Sequence, residues 1–103
     1  MPNLFDTLAT DPTRETFDEL LSRPGVRIER IVSNGQVSPD GFYYDQDETE
    51  WVALLSGHAR LHFADEAIER ELKPGDYLTI APHRRHRVTF TAPATVWLAV
   101  WLG

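Results

Sequence analysis

Turn-forming residues interrupt this chain so often that, beyond residue 25, no long helix has room to form. Asn34-Gly35, Pro39-Asp40-Gly41, Ser56-Gly57, Asp65-Glu66 and Pro74-Gly75 cut it into short pieces, and these are residue pairs that favour turns. Between the cuts, apolar residues alternate with polar ones. Ala59, Leu61 and Phe63 fall on one face of a strand and His58, Arg60 and His62 on the other, as a period of two requires. Trp51–Leu55 and Thr95–Leu102 are apolar on both faces, so both strands are expected to be covered on two sides. About eight short strands without alternating helices predict an antiparallel all-β sandwich or barrel.

The first 25 residues read differently. Two prolines and scattered polar groups make residues 1–13 an extended arm that offers Leu4, Phe5 and Leu8 for packing. A short N-terminal helix follows, capped by Thr13 or Thr16, with Phe17, Leu20 and Leu21 at helical spacing and Arg23-Pro24-Gly25 ending it. The reading is therefore an arm and helix over residues 1–25 and a β-barrel over residues 26–103. A chain of 103 residues that is 42% hydrophobic is the size of one structural domain. Two doubly apolar strands exceed what one interior can hide, so a homodimer is expected, with the arm crossing to the partner.

Charge narrows the function classes. A formal net charge of -6 argues against nucleic acid or an anionic membrane as partner, because both need a basic face. Arg84, Arg85 and Arg87 read as a charged rim balancing Asp45, Asp47 and Glu48. Cysteine is absent, so any metal must sit on nitrogen and oxygen ligands. No run reaches membrane-spanning length, and the cytoplasm is the expected location.

The candidate chemistry lies in two segments. Gly75-Asp76 feeds the run Tyr77–Ile80, Pro82 turns the chain, and a second strand places His86, Val88 and Phe90 on one face. On another strand Glu50 shares a face with Val52 and Leu54, and an extended lead-in puts Tyr44 and Gln46 on the same parity. A carboxylate pointed into an apolar interior needs a cation or strong donors, or must take up a proton.

These two segments resemble the paired motifs of the cupin superfamily. The first motif is a glycine, a His-x-His pair, a glutamate three or four residues on, and a glycine after six more; Glu50 and Gly57 match its end. The second begins at Gly75 and ends at His86, with Ala81-Pro82-His83 where the family has proline, any residue and glycine. The resemblance implies a small jelly-roll barrel with a central pocket, and a divalent metal (Fe, Mn, Ni or Zn) held by the motif residues. The first-motif histidines are replaced, by Tyr44 and Gln46 at the three-residue spacing or by Tyr43 and Asp45 at the four-residue spacing. The three-residue spacing is preferred because it keeps the groups on one face. The implied metal ligands are then Glu50 and His86, helped by Gln46 or by His83, with Tyr44, Val52, Val88 and Phe90 lining a substrate pocket. The family resemblance implies a small organic ligand and admits a metal-dependent oxygenase or isomerase. The alternative is a metal-free ligand-binding or structural module.

Overall fold

The computed structural model describes residues 1–8 and 13–103. Eight strands follow one another: β1 (Thr16–Arg23), β2 (Val26–Ser33), β3 (Thr49–Ser56), β4 (Ala59–Phe63), β5 (Arg70–Leu72), β6 (Tyr77–Ile80), β7 (His86–Thr91) and β8 (Thr95–Leu102). They form a five-stranded sheet in the order β1-β2-β8-β3-β6 and a three-stranded sheet in the order β5-β4-β7. Every pairing is antiparallel. The two sheets face each other across a core of Val52, Leu54, Ala59, Leu61, Phe63, Leu72, Ile80, Trp97 and Ala99. Among the described residues, no helix is long and apolar enough to cross a membrane.

The expected N-terminal helix is replaced by a strand. Thr16–Arg23 pairs with β2 from Thr16↔Val32 to Arg23↔Val26, through a bulge between Glu19 and Leu21. Pro24-Gly25 closes the hairpin, with Gly25 at φ 79°, a backbone conformation open to glycine. The bulge explains why the pattern resembled a helix: an extra residue in one strand breaks the period of two, leaving Leu20 and Leu21 adjacent. An eight-residue helix has little stability of its own, whereas the same residues as a strand satisfy their backbone groups on β2. Residues 16–23 thus belong to the larger sheet.

A second bulge governs the opposite wall. Arg60 pairs with Phe90 but Leu61 pairs with Val88, so Thr89 is the extra residue in β7. His86 and Val88 point inward, and the bulge turns Phe90 outward. The segment before β3 lies along the free edge of β7, where Ser38 N donates to Val88 O at 2.9 Å, Tyr44 N donates to His86 O at 2.7 Å and His86 N donates to Tyr44 O at 3.2 Å. Those bonds carry Tyr44 and Gln46 to the open end of the barrel.

Candidate functional site

Glu50 on β3 and His86 at the start of β7 both point between the sheets, with 8% and 5% of their surface exposed. His86 Nδ1 donates to Arg84 O at 2.8 Å; a carbonyl only accepts, so this bond places the ring proton on Nδ1 and leaves Nε2 as an open lone pair. Nε2 faces Glu50 Oε1 at 3.7 Å, too long for a hydrogen bond but a gap that one ligand atom can bridge. The ring stacks on Tyr44 (centroids 5.5 Å apart) and lies 5.9 Å from Phe63. Gln46 Nε2 donates to Glu50 Oε1 at 3.4 Å.

The pair lines a cavity of about 120 Å³, comparable with the roughly 150 Å³ apolar cavity that admits benzene. Tyr44, Gln46, Val52 and Val88 share this lining, so the structure brings together six of the residues singled out in the sequence. Burial pushes the Glu50 carboxyl from its ordinary 4.5 up to about 7; the Glu29 carboxylate adds to the rise and Arg27 opposes it. Burial also lowers the His86 imidazole, with the Arg84 carbonyl opposing. Tyr44 is raised by burial and by the charges of Glu15 and Glu50.

Two residues singled out in the sequence, His83 and Phe90, lie outside the cavity lining. His83 stands outside the cavity at φ 60°, largely exposed, with Nδ1 2.7 Å from Asp45 and Nε2 3.2 Å from Asp47. Its side chain serves the rim, while its backbone N–H donates to Gln46 O at 2.7 Å and so holds the segment that carries Gln46. Phe90 is absent from the lining because of the Thr89 bulge. It packs outside against His58, with centroids 5.8 Å apart, and under Arg60, 5.4 Å away.

Further residues complete the cavity wall. Glu15 and Phe17 reach it from the β1 side, with Ile31 and Ser33 from β2. Phe17 pairs with Ile31, and Ile31 with Trp97, which puts all three on the inward face. Strand parity would have found Phe17 had the segment been read as a strand. Ser33 Oγ donates to Glu15 Oε2 at 2.5 Å and accepts from Trp97 Nε1 at 3.1 Å, which fixes the Glu15 carboxylate at the cavity wall. Trp101 lines the same wall and donates to Glu29 Oε1 at 2.8 Å.

Residues 29–101 match the cupin-domain family profile. The chain is a cupin. A crystal structure from Ralstonia eutropha JMP134, provisionally named a mannose-6-phosphate isomerase, is 44% identical, with 99% of this chain and 96% of that one covered and a TM-score of 0.95. An RmlC-like cupin from Desulfovibrio desulfuricans superposes with a TM-score of 0.79 at 15% identity, covering 99% and 94% of the two chains. A cupin superfamily protein from Desulfitobacterium hafniense DCB-2 gives 0.81 at 17% identity, covering 99% and 90%. These last two share the fold. No curated protein matches the chain in sequence.

Cupins commonly hold metals, and the donor set of this cupin can be tested against one. Around the open Nε2 of His86 it offers the Glu50 carboxyl, the Gln46 amide and the Tyr44 phenol, while Glu15, the other acid of the lining, does not cluster with Glu50 and His86. No group of three His, Cys, Asp or Glu suited to a metal exists among the described residues. Catalytic zinc sites keep three strong protein ligands, and with His83 on the rim this set stops at two. The residues present do not fit the family's metal.

The raised Glu50 has a consequence for stability. The native state holds its proton more tightly than the unfolded chain, so the stability tied to this group is complete below about pH 4.5 and is lost as pH rises through about 7. Above that, the buried charge costs about 3 kcal/mol. Glu50→Gln, neutral at every pH, is expected to be more stable than wild type by ~1–3 kcal/mol at pH 8 and to gain nothing at pH 4.5. Urea unfolding at both values checks this, and an equal difference at the two pH values would count against it.

Proposed function

We propose that this cupin binds a small organic molecule in the cavity and that Glu50 and His86 shift a proton between its neighbouring atoms, the chemistry of an isomerase. The supporting observation is a carboxyl and an imidazole facing each other across 3.7 Å in a mainly apolar cavity, their environments pushing the two groups toward their neutral forms. Pairs of this kind assign acid and base. On an α-hydroxy carbonyl compound, His86 Nε2 takes the proton from the hydroxyl-bearing carbon while Glu50 gives its proton to the carbonyl oxygen. His86 then returns its proton to the former carbonyl carbon, and Glu50 takes the other hydroxyl proton. Both side chains end as they began, and no oxidant or reductant is needed. The provisional name of the Ralstonia relative describes a reaction of this class.

The test is conversion of glyceraldehyde, an uncharged substrate of about the cavity's size, to dihydroxyacetone in D2O, followed by NMR. Deuterium uptake at carbon is the expected result, and it should survive dialysis against chelator. Activity lost on chelation and restored by manganese, iron(II), nickel or zinc would replace this reading with a metal-dependent one. Absence of conversion and of any ligand-induced shift would leave the metal-free structural module.

We also propose that the outer face of the larger sheet meets a second copy. Val100 pairs with Ile28 and Trp51, and Leu98 with Ala53, so an apolar stripe crosses three strands. Leu21 and Tyr77 extend it and are exposed. The arm is held beside this stripe, at Arg30, the β2 partner of Leu98. The carbonyls of Leu4 and Asp6 accept from Arg30 Nη1 of the same chain. Light scattering at micromolar concentration should report a dimer, and Leu98→Asp should give a monomer; a wild-type monomer would remove the proposal.

A further inference from the structure

The cavity has a charge character that bears on its ligand. Among the described residues its lining contains the carboxylate of Glu15, the carboxyl of Glu50, the rings of Phe17, Tyr44, Trp97 and Trp101, and no Arg or Lys. Arg27 is the nearby candidate counter-charge, but its guanidinium lies over Trp101, 5.1 Å from the ring centroid. It is also within 3.8 Å of both Glu29 and Glu48, so it is already engaged with acidic partners. Glu50 has one-tenth of its side chain exposed and faces His86 across 3.7 Å. Glu15 is held in place by the Ser33 hydroxyl.

A phosphorylated ligand meets an obstacle here: among the described residues, no guanidinium, ammonium or helix N-terminus lines the cavity to receive its charge. Electron-rich rings with a carboxylate beside them recognise the opposite sign, because a cation is attracted to the face of each ring and to the acid.

We infer that the cavity selects a small organic cation, a ligand with an ammonium head seated among Glu15, Phe17, Trp97 and Trp101, and that it excludes phosphosugars. This rests on the cavity being the ligand site, as proposed above. It also separates two roles: Glu15 receives the head group, and Glu50 with His86 faces the reacting end. Such a division departs from the substrate in the Ralstonia relative's name.

The experiment compares three ligands on the full chain by calorimetry and by NMR of the Trp97 and Trp101 indole N–H signals: choline, its uncharged isostere 3,3-dimethylbutan-1-ol, and mannose 6-phosphate. Choline should bind saturably and at least tenfold more tightly than the isostere, and mannose 6-phosphate should leave the indoles unmoved. Glu15→Gln should reduce the choline preference to threefold or less without weakening the isostere. Equal affinity for choline and the isostere, or tighter binding of mannose 6-phosphate, would overturn the inference while keeping the cavity as the ligand site. If none of the three moves either indole, the inference is wrong; whether the cavity is a reaction site is then decided separately by glyceraldehyde conversion.

Discussion

Gly57→Ala is expected to destabilise the protein by roughly 3–5 kcal/mol, a large share of the stability of a domain this size. Gly57 sits at φ 88° where β3 turns into β4, and a β-carbon there would lie 2.4 Å from Thr95 Oγ1 and 2.7 Å from Thr95 Cα. Thr95 cannot retreat. It is fully buried, and its hydroxyl donates to Ala92 O at 2.7 Å and lies 3.4 Å from His58 N, from which it accepts. Since Gly57 joins the two sheets, any shift that relieves the clash disturbs both. Gly41→Ala is the control, because Gly41 also has positive φ, 75°, but no atom within 4 Å of the added carbon. It should lose only about 1 kcal/mol from backbone strain. Unfolding free energies from urea titration of the two variants within about 1 kcal/mol of each other would show that the close approach to Thr95 is unimportant.

Loss of either member of the Glu50–His86 pair is expected to lower the glyceraldehyde conversion rate by about 10²-fold or more, the scale of general acid–base catalysis. Glu50→Gln keeps the shape and a hydrogen-bond donor but cannot release a proton. His86→Ala removes the base outright. The pH profile should be bell-shaped for a stated reason. Glu50 must carry its proton, which it gives up at about pH 7, and His86 must lack one, which its lowered value allows further into acid than the ordinary 6.5. Activity should therefore fall above about 7 as Glu50 ionises and fall again on the acid side as His86 charges. In Glu50→Gln the residual rate should lose its basic limb and keep the acid one. A wild-type profile flat from pH 5 to 9, or variants with more than half the wild-type rate, would rule out the acid–base assignment.

Much of the site was legible because side-chain direction along a strand is a local property. Glu50, Val52 and Leu54 alternate with Trp51, Ala53 and Leu55 by geometry alone, and the buried positions follow that alternation for Glu50, Val52 and Leu54. His86 and Val88 point the same way for the same reason. The argument fails where a ladder slips. At Thr89 one residue is left unpaired because the consecutive residues Arg60 and Leu61 of β4 pair with Phe90 and Val88, and no pattern within β7 announces it.

The sequence by itself determined the all-β class, the turns and the inward aim of Glu50 and His86, since turn chemistry and the period of two act within a few residues. The tertiary structure alone decided which carboxylates and rings share the cavity. β1 becomes a strand because β2 offers it a hydrogen-bonded edge, and only that pairing carries Phe17 to the same wall as Trp97. His83 turns to Asp45 and Asp47 because the corner backbone is tied to Gln46. These outcomes depend on hydrogen bonds between segments distant in the chain, where the gain of satisfying buried backbone groups overrides local propensity.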